Sequence, residues 1–413
     1  MPAVCCYFQV HQPYRLRHYS FFDIGENPFY EDEQANCDIM LKVARKCYLP
    51  MNDLLLQKIR ACGGKFKVAF SISGTALDQF EEFAPEVLES FQALAKTGCV
   101  EFLDETYCHS LSFLYSRQSF REQVKHHRAR MQELFGQSPR VFRNTELIYN
   151  NDLAKEVEAL GYEGILAEGA DHVLGWRSPN YVYQPEGCTT LKLLLKNYAL
   201  SDDIAFRFSN HDWPEYPLTA DKFASWVHAV NGNGETVNLF MDYETFGEHQ
   251  WEGSGIFDFM KALPEAIMRN PDFCFKTPSE VLATKDVRGT LDVPTFMSWA
   301  DVERDLTAWL GNDMQMDAIE ALYRCEARVR ATGSADLLRT WERLQTSDHF
   351  YYICTKWFAD GDVHKYFNPY GSPYDAYINF MNVLADFNLR IDATLPTVQT
   401  STPEKETNAQ ALP

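Results

Sequence analysis

The 413-residue chain has no run of 18 or more apolar residues, so no membrane-spanning helix is expected. No basic stretch followed by a long apolar one opens it, and no signal peptide is expected either. It has no Cys-x-x-Cys pair. Its eleven cysteines are odd in number and scattered, several inside apolar runs such as AVCCYFQV, which fits neither a disulfide framework nor a thiolate zinc site. A reducing, cytoplasmic setting is the expectation. Positive charge is in deficit, 38 Lys and Arg against 58 Asp and Glu for a net charge of −20. That argues against partners held through phosphate neutralisation, so neither nucleic acid nor an anionic membrane is an expected partner. Gly-x-Ser-x-Gly, a Walker loop and His-Glu-x-x-His are all missing. The Gly-rich NGNGE at 231–235 does not lead from a strand into a helix, as a dinucleotide site would.

What the chain does have is alternation. Up to about residue 285, short β-branched or aromatic runs alternate with longer segments of helical periodicity, the pattern of parallel strands with crossover helices. The runs at 3–10, 65–72, 99–104, 140–146, 164–168, 191–197 and 236–243 predict seven strands. Helical periodicity falls at 36–61, 76–97, 117–135, 151–160, 220–231 and 255–269. Beyond about 290 the strand signals stop. Helices are predicted over 299–310, 313–331, 334–345 and 373–389, and the polar, aromatic-free stretch from 394 to 413 reads as a disordered tail. The expected domains are a catalytic barrel over 1–290, a helical subdomain over 291–393 and the tail over 394–413.

In a barrel of parallel strands, functional residues gather at the strands' C-terminal ends. Strand one ends at His11-Gln12-Pro13, strand three runs into Glu101, Asp104 and Glu105 with His109 beyond, strand four ends at Glu146, and strand seven at Asp242-Tyr243-Glu244. Each has a bland alternative. Glu146 pairs with Arg143 or is a solvated loop acid; Asp242 caps a turn; His11 is a core imidazole; Glu101 sits in a structural ion pair; Asp348 is the N-cap of a helix HFYYICTKWF. Two strand-end carboxylates are what glycosidic-bond hydrolysis requires, one as nucleophile and one as proton donor. The aromatic content, 14%, is mostly core, but Trp251, Trp213, Tyr216, Trp176, Phe246 and Tyr351 lie near the motifs. Trp251 is the first candidate for a sugar-stacking platform.

Taken in order, HQP (11–13), Gly98-x-x-Glu101, FRNTELIYN (142–150), MDYETFGEHQ (241–250) and TSDHFYY (346–352) resemble the five sequence regions of glycoside hydrolase family 57, in its α-amylase-like branch. The resemblance spans most of residues 5–355. It implies a (β/α)7 barrel, an incomplete TIM-like barrel, followed by a C-terminal α-helical subdomain that completes the active site. It also implies retaining hydrolysis of α-glucans or maltooligosaccharides through a covalent glycosyl-enzyme intermediate. No metal or other cofactor is expected, because the cysteines are scattered and the two acids serve as nucleophile and proton donor. Glu146 corresponds to the nucleophile and Asp242 to the general acid/base. His11, Glu101 and Asp348 correspond to substrate-binding positions, to which His109 and Trp251 are added from the residues themselves. Family members commonly carry Trp before the nucleophile, where this chain has Phe142-Arg143-Asn144.

Three other readings remain open on sequence alone. A 4-α-glucanotransferase or branching enzyme uses the same two carboxylates and differs in whether water or a sugar hydroxyl reaches the intermediate. A non-catalytic glucan-binding relative would be expected to lack one carboxylate, and both are present. A metal-dependent deacetylase or zinc mannosidase would need a tighter ligand set than His11, Asp104 and His109. Oligomeric state is not legible in the sequence.

Overall fold

The computed structural model describes residues 1–356 and 368–395. Among the described residues ten strands form in chain order: β1 Ala3–Val10, β2 Val68–Ile72, β3 Val100–Phe102, β4 Val141–Arg143, β5 Gly164–Glu168, β6 Val182–Pro185, β7 Lys192–Lys196, β8 Thr236–Asp242, β9 Cys274–Phe275 and β10 Val287–Leu291. All seven strands predicted from sequence are present, as β1–β5, β7 and β8, several of them shorter than predicted.

The strands lie in two sheets, β3-β2-β1-β8 with β9 beside β1, and β10-β6-β7-β5-β4. Backbone hydrogen bonds join the sheets at both seams. Asp104 N–H donates to Val141 O (3.0 Å) and Arg143 N–H to Asp104 O (2.8 Å); Asn197 N–H donates to Asn238 O (2.9 Å). The seven main strands thereby form a (β/α)7 barrel. β1 is buried along its whole length, which is why AVCCYFQV reads as one apolar run rather than an alternating one. Its inward residues Ala3, Cys5 and Tyr7 share the barrel interior with Ala69, Leu103, Val141, Leu166, Leu194 and Phe240. Its outward residues Val4, Cys6, Phe8 and Val10 pack against the surrounding helices.

The differences from the predicted elements have local causes. The segment 76–97 is two helices, Gly74–Phe83 and Pro85–Ala95, because Pro85 has no N–H to continue the first. β10 was not foreseen, since VRGTL is exposed at four of five positions and carries no apolar alternation. The helix Pro278–Thr284 was also missed, although Thr277 and Glu280 form a capping box around a Pro at the first turn. The predicted helix at 299–310 is a correction. Only Thr307–Leu310 is helical, and the preceding residues form an irregular strap with positive φ at Asp301 (57°) and Arg304 (53°).

Further on, helices run Asp313–Arg324, Glu326–Thr332, Ala335–Arg343, Ser347–Tyr351 and Pro373–Thr394. Their core gathers Trp309, Leu322, Trp341, Phe350, Phe380 and Phe387 together with Leu16, Tyr19, Tyr30 and Leu111. The last four come from the loops that leave β1 and β3, so the C-terminal helices are packed onto the barrel's mouth. Burying each large apolar side chain there contributes about 1.5–3 kcal/mol. Of the expected tail, Thr394 ends the last helix and the residues from 396 lie outside the described ones. Among the described residues no helix is long and apolar enough to cross a membrane.

Candidate active site

Inward-facing side chains on every main strand change from apolar to polar near its C-terminal end: Tyr7 to Gln9, Ala69 to Ser71, Leu103 to Glu105, Val141 to Arg143, Leu166 to Glu168, Leu194 to Lys196, Phe240 to Asp242. Polar groups are costly in a closed interior unless they are paired. Here they collect at one mouth, where they pair with one another and with the C-terminal segment.

Glu146 stands in the single turn Thr145–Leu147 directly after β4, with a backbone φ of 57°. A non-glycine residue in this region is strained, and such residues cluster at functional sites. Its Oε1 accepts from Ser347 Oγ–H (3.0 Å) and lies 3.4 Å from His109 Nε2; its Oε2 accepts from Trp299 Nε1–H (2.8 Å). Burial pushes the carboxyl's pKa up, but the hydrogen bond and charge of His109, with Arg143 behind, overcome this and hold it at about 2. Glu146 is therefore ionised throughout the physiological range.

His109 is buried between two carboxylates, with Nδ1 2.7 Å from Glu105 Oε2 and Nε2 facing Glu146. Burial opposes its charge, yet Glu105 and Glu146 raise it to about 9. Glu105 in turn accepts from Ser71 Oγ–H (2.5 Å) and Gln9 Nε2–H (3.1 Å). The His11 ring stacks on His109 at 4.0 Å between centroids. Burial and that neighbouring cation lower the pKa of His11, so it is neutral. Its bonds fix the tautomer: Nε2–H donates to Asp348 Oδ2 (2.9 Å), and Nδ1 accepts from Ser73 Oγ–H (2.7 Å). Asp348 is held well below the usual carboxylate range, its burial outweighed by His11. The N-cap of its helix is Thr346, so the capping role considered for Asp348 does not hold.

Asp242 ends β8, opposite Gln9 in register. Burial first and then the negative charge of Glu146 push its carboxyl up to about 6, with Arg143, Lys196 and His109 opposing. The mouth thus holds one carboxyl that keeps its charge and another that holds its proton well above the range of an isolated Asp.

The structure brings together His11, His109, Glu146, Asp242 and Asp348, and places two expected site residues elsewhere. Glu101 faces the opposite end of the barrel. Its carboxylate accepts from the backbone N–H (2.9 Å) and the hydroxyl of Ser279, at the start of the helix Pro278–Thr284 beneath the strands. The strand's period of two explains the correction, since Glu105, two inward positions further on, is the one that reaches the mouth. Trp251 is 65% exposed on the outer flank, beside a cavity of about 540 Å³ lined by Arg45, Lys46, Pro50, Leu54 and Phe257. Asp104 is spent on structure, bonded to His127, Tyr162 and Arg128.

Two residues that touch Glu146 carry no sequence signal of it: Trp299, in a segment whose pattern predicts helix, and Ser347, one residue from the motif acid. The sequence also underrates Arg143, fully buried below Trp299 with no hydrogen-bond partner for its guanidinium among the described residues. Among the described residues no group of three or more His, Cys, Asp or Glu is disposed to hold a metal ion.

Comparison with known proteins supplies the context. A family model described as glycosyl hydrolase family 57 matches residues 5–294. A protein of Methanocaldococcus jannaschii provisionally named an alpha-amylase is 44% identical over 405 residues, covering 94% of this chain and 84% of that one. Three solved structures share the fold at low identity. The 4-alpha-glucanotransferase of Thermococcus litoralis has a TM-score of 0.68 at 15% identity, over 92% of this chain and 59% of that chain. The chain thus spans under two thirds of that enzyme's length. A branching enzyme of Thermococcus kodakaraensis gives 0.67 at 15%, over 94% and 90%, and the alpha-amylase AmyC of Thermotoga maritima gives 0.62 at 13%, over 96% and 94%.

Proposed function

Since the chain belongs to glycosyl hydrolase family 57, we propose that it cleaves α-glucosidic bonds, foremost α-1,4 bonds, in α-glucans or maltooligosaccharides with retention of anomeric configuration. The observation that carries this reading is the pairing, at one barrel mouth, of two half-buried strand-end carboxyls in opposed environments, Glu146 held at about 2 by His109 and Asp242 raised to about 6. Opposed environments of this kind assign nucleophile and acid.

In the first step a Glu146 oxygen bonds to the anomeric carbon as the glycosidic C–O bond breaks, and the leaving oxygen takes the proton of Asp242. In the second, Asp242 as carboxylate takes a proton from water, whose oxygen bonds to the anomeric carbon and releases Glu146. His109, cationic and bonded to Glu105, keeps the nucleophile ionised and available for a second turnover. His11, locked by Ser73 and Asp348, presents a neutral edge toward the reacting ring, and Asp348 accepts sugar hydroxyls. Glu101 is left out of this machinery, and Trp251 serves as an outer platform for longer chains.

The test is incubation of the protein with maltoheptaose, with all products separated and the anomer of the fresh reducing end read by NMR. Shorter sugars formed first as the α-anomer are expected. A β-anomer would indicate inversion and discard the nucleophile assignment. Sugars longer than the substrate would favour transfer, the fold relatives including a 4-alpha-glucanotransferase and a branching enzyme. Asp242→Ala should regain turnover with added azide on an activated α-glucosyl fluoride, whose leaving group needs no proton.

A further inference from the structure

Glu146 is gripped twice by one residue. Trp299 donates its indole N–H to Oε2 (2.8 Å), and its backbone N–H to the Glu146 carbonyl (3.3 Å). The first bond restricts the side chain and the second holds a backbone whose φ is positive. Trp299 itself has little freedom. Its ring is within reach of the guanidinium of Arg143 (4.8 Å) and the ammonium of Lys196 (5.5 Å), two cations at the ends of β4 and β7, the strands that flank β5.

The strap that carries it is closed on itself. Ser298 N–H donates to Arg304 O (3.0 Å), and Ser298 Oγ–H to Asp305 O (2.6 Å). Arg304 Nη1 donates to the Trp299 carbonyl (2.6 Å) and to Glu168 Oε2 (3.1 Å), the polar end of β5. Lys196 completes this anchor, 3.4 Å from Glu168 and 3.1 Å from Asp202. A chain of contacts therefore runs from the ends of the neighbouring strands β5 and β7, through Arg304 and Trp299, to Glu146.

We infer that Trp299 is a positioning residue for Glu146 and that Arg304 acts through it, fastening the strap so that the indole N–H fixes the direction of the carboxylate. The inference rests on the reading of Glu146 as nucleophile. A misplaced reacting group costs on the order of a hundredfold in rate without weakening substrate binding. His109 and Arg143 set the ionisation of Glu146, whereas Trp299 sets its direction.

Trp299→Phe removes the donor and keeps a ring beside the two cations. Its kcat should fall by about ten- to a hundredfold, with KM within about twofold, an unchanged melting temperature and an unmoved acid limb of the pH profile. Arg304→Gln should give the same signature to a smaller degree. The double variant should be about as slow as Trp299→Phe alone, because both changes act on one bond. Labelling with 5-fluoro-α-glucosyl fluoride, followed by mass spectrometry of the digest, separates the two levels of the argument. Label on Glu146, acquired more slowly by Trp299→Phe than by wild type, supports the inference. Label on Glu146 with wild-type kcat in Trp299→Phe overturns the inference alone, as does a fall in kcat accompanied by lower melting temperature and higher KM. Label on another carboxylate overturns the nucleophile reading itself.

Discussion

The floor and the mouth of the barrel are built by the same alternation and differ in what closes them. At the floor, the inward carboxylate Glu101 is met by the N–H and O–H of Ser279 and by the side chain of Thr277, with the Arg140 cation further off. At the mouth, Glu105, two inward positions along the same strand, enters a chain of charged groups running through His109 to Glu146. Both acids are buried. Burial leaves Glu101 with a raised pKa, whereas at Glu105 the neighbouring His109 cation wins and the pKa falls. Position on a strand therefore does not decide whether an acid serves structure or chemistry. The charges brought by other elements decide it, and the C-terminal segment brings Trp299, Ser347 and Asp348 to the mouth only.

If this contrast is right, substitutions at the two ends should separate activity from stability. The largest effect is expected at Glu146→Gln, which keeps the shape but not the nucleophile. Turnover of maltoheptaose should fall by about three orders of magnitude or more, while the melting temperature holds or rises. A variant that keeps a tenth of wild-type turnover would erase the distinction between the ends.

Next comes the charge relay. With Glu146 required as carboxylate and Asp242 as acid, kcat/KM of wild type should be highest between about pH 2 and 6 and fall about tenfold per pH unit above about 6. His109→Asn should move the acid limb upward, since the cation that lowers Glu146 is gone, and cost about ten- to a hundredfold at pH 5. The same substitution has a stability signature. His109 has a folded pKa of about 9, above its unfolded value of 6.5, so its stabilisation is complete below 6.5 and lost as pH rises through 9. Urea midpoints should fall between pH 6.5 and 9 in wild type, and fall less in His109→Asn. An acid limb that stays in place in the variant would remove His109 from the relay.

How far the sequence went follows from the same contrast. The seven strands were legible because parallel strands buried on both faces leave unbroken apolar runs, and the strand-end acids Glu146 and Asp242 because the change to polar residues marks the mouth. Glu101 takes its expected role from the resemblance to the family's second sequence region, whereas the strand register shows that Glu105 is the acid at the mouth. Trp299 was unreadable. Nothing in PTFMSWADVERD fixes two residues at positive φ or tells that a loop 153 residues downstream returns to Glu146. Trp251, the favoured aromatic, was chosen for proximity in sequence to Asp242, and the loop carries it to the outer flank. Its removal to Ala should leave maltotriose turnover and stability within about 0.5 kcal/mol of wild type, and reduce binding only of chains long enough to span the mouth and that flank.

The smallest effect belongs to the floor, and it has a distinct pH signature. Glu101→Gln retains the acceptor for the Ser279 N–H, and the Ser279 hydroxyl can turn to accept from the new amide. The cost should therefore be about 1 kcal/mol, the net worth of one rearranged hydrogen bond. Activity should be unchanged at every pH. Because the folded pKa of Glu101 lies above the unfolded value of 4.5, the native state keeps its proton longer, and the stability this contributes is lost as pH rises above 4.5. The glutamine has no proton to lose. The difference in urea midpoint between wild type and Glu101→Gln should therefore shrink from pH 4 to pH 7, as the wild type alone begins to bear a buried charge. A difference that grows over that range, or a kcat that falls with the substitution, would place Glu101 on the side of the mouth.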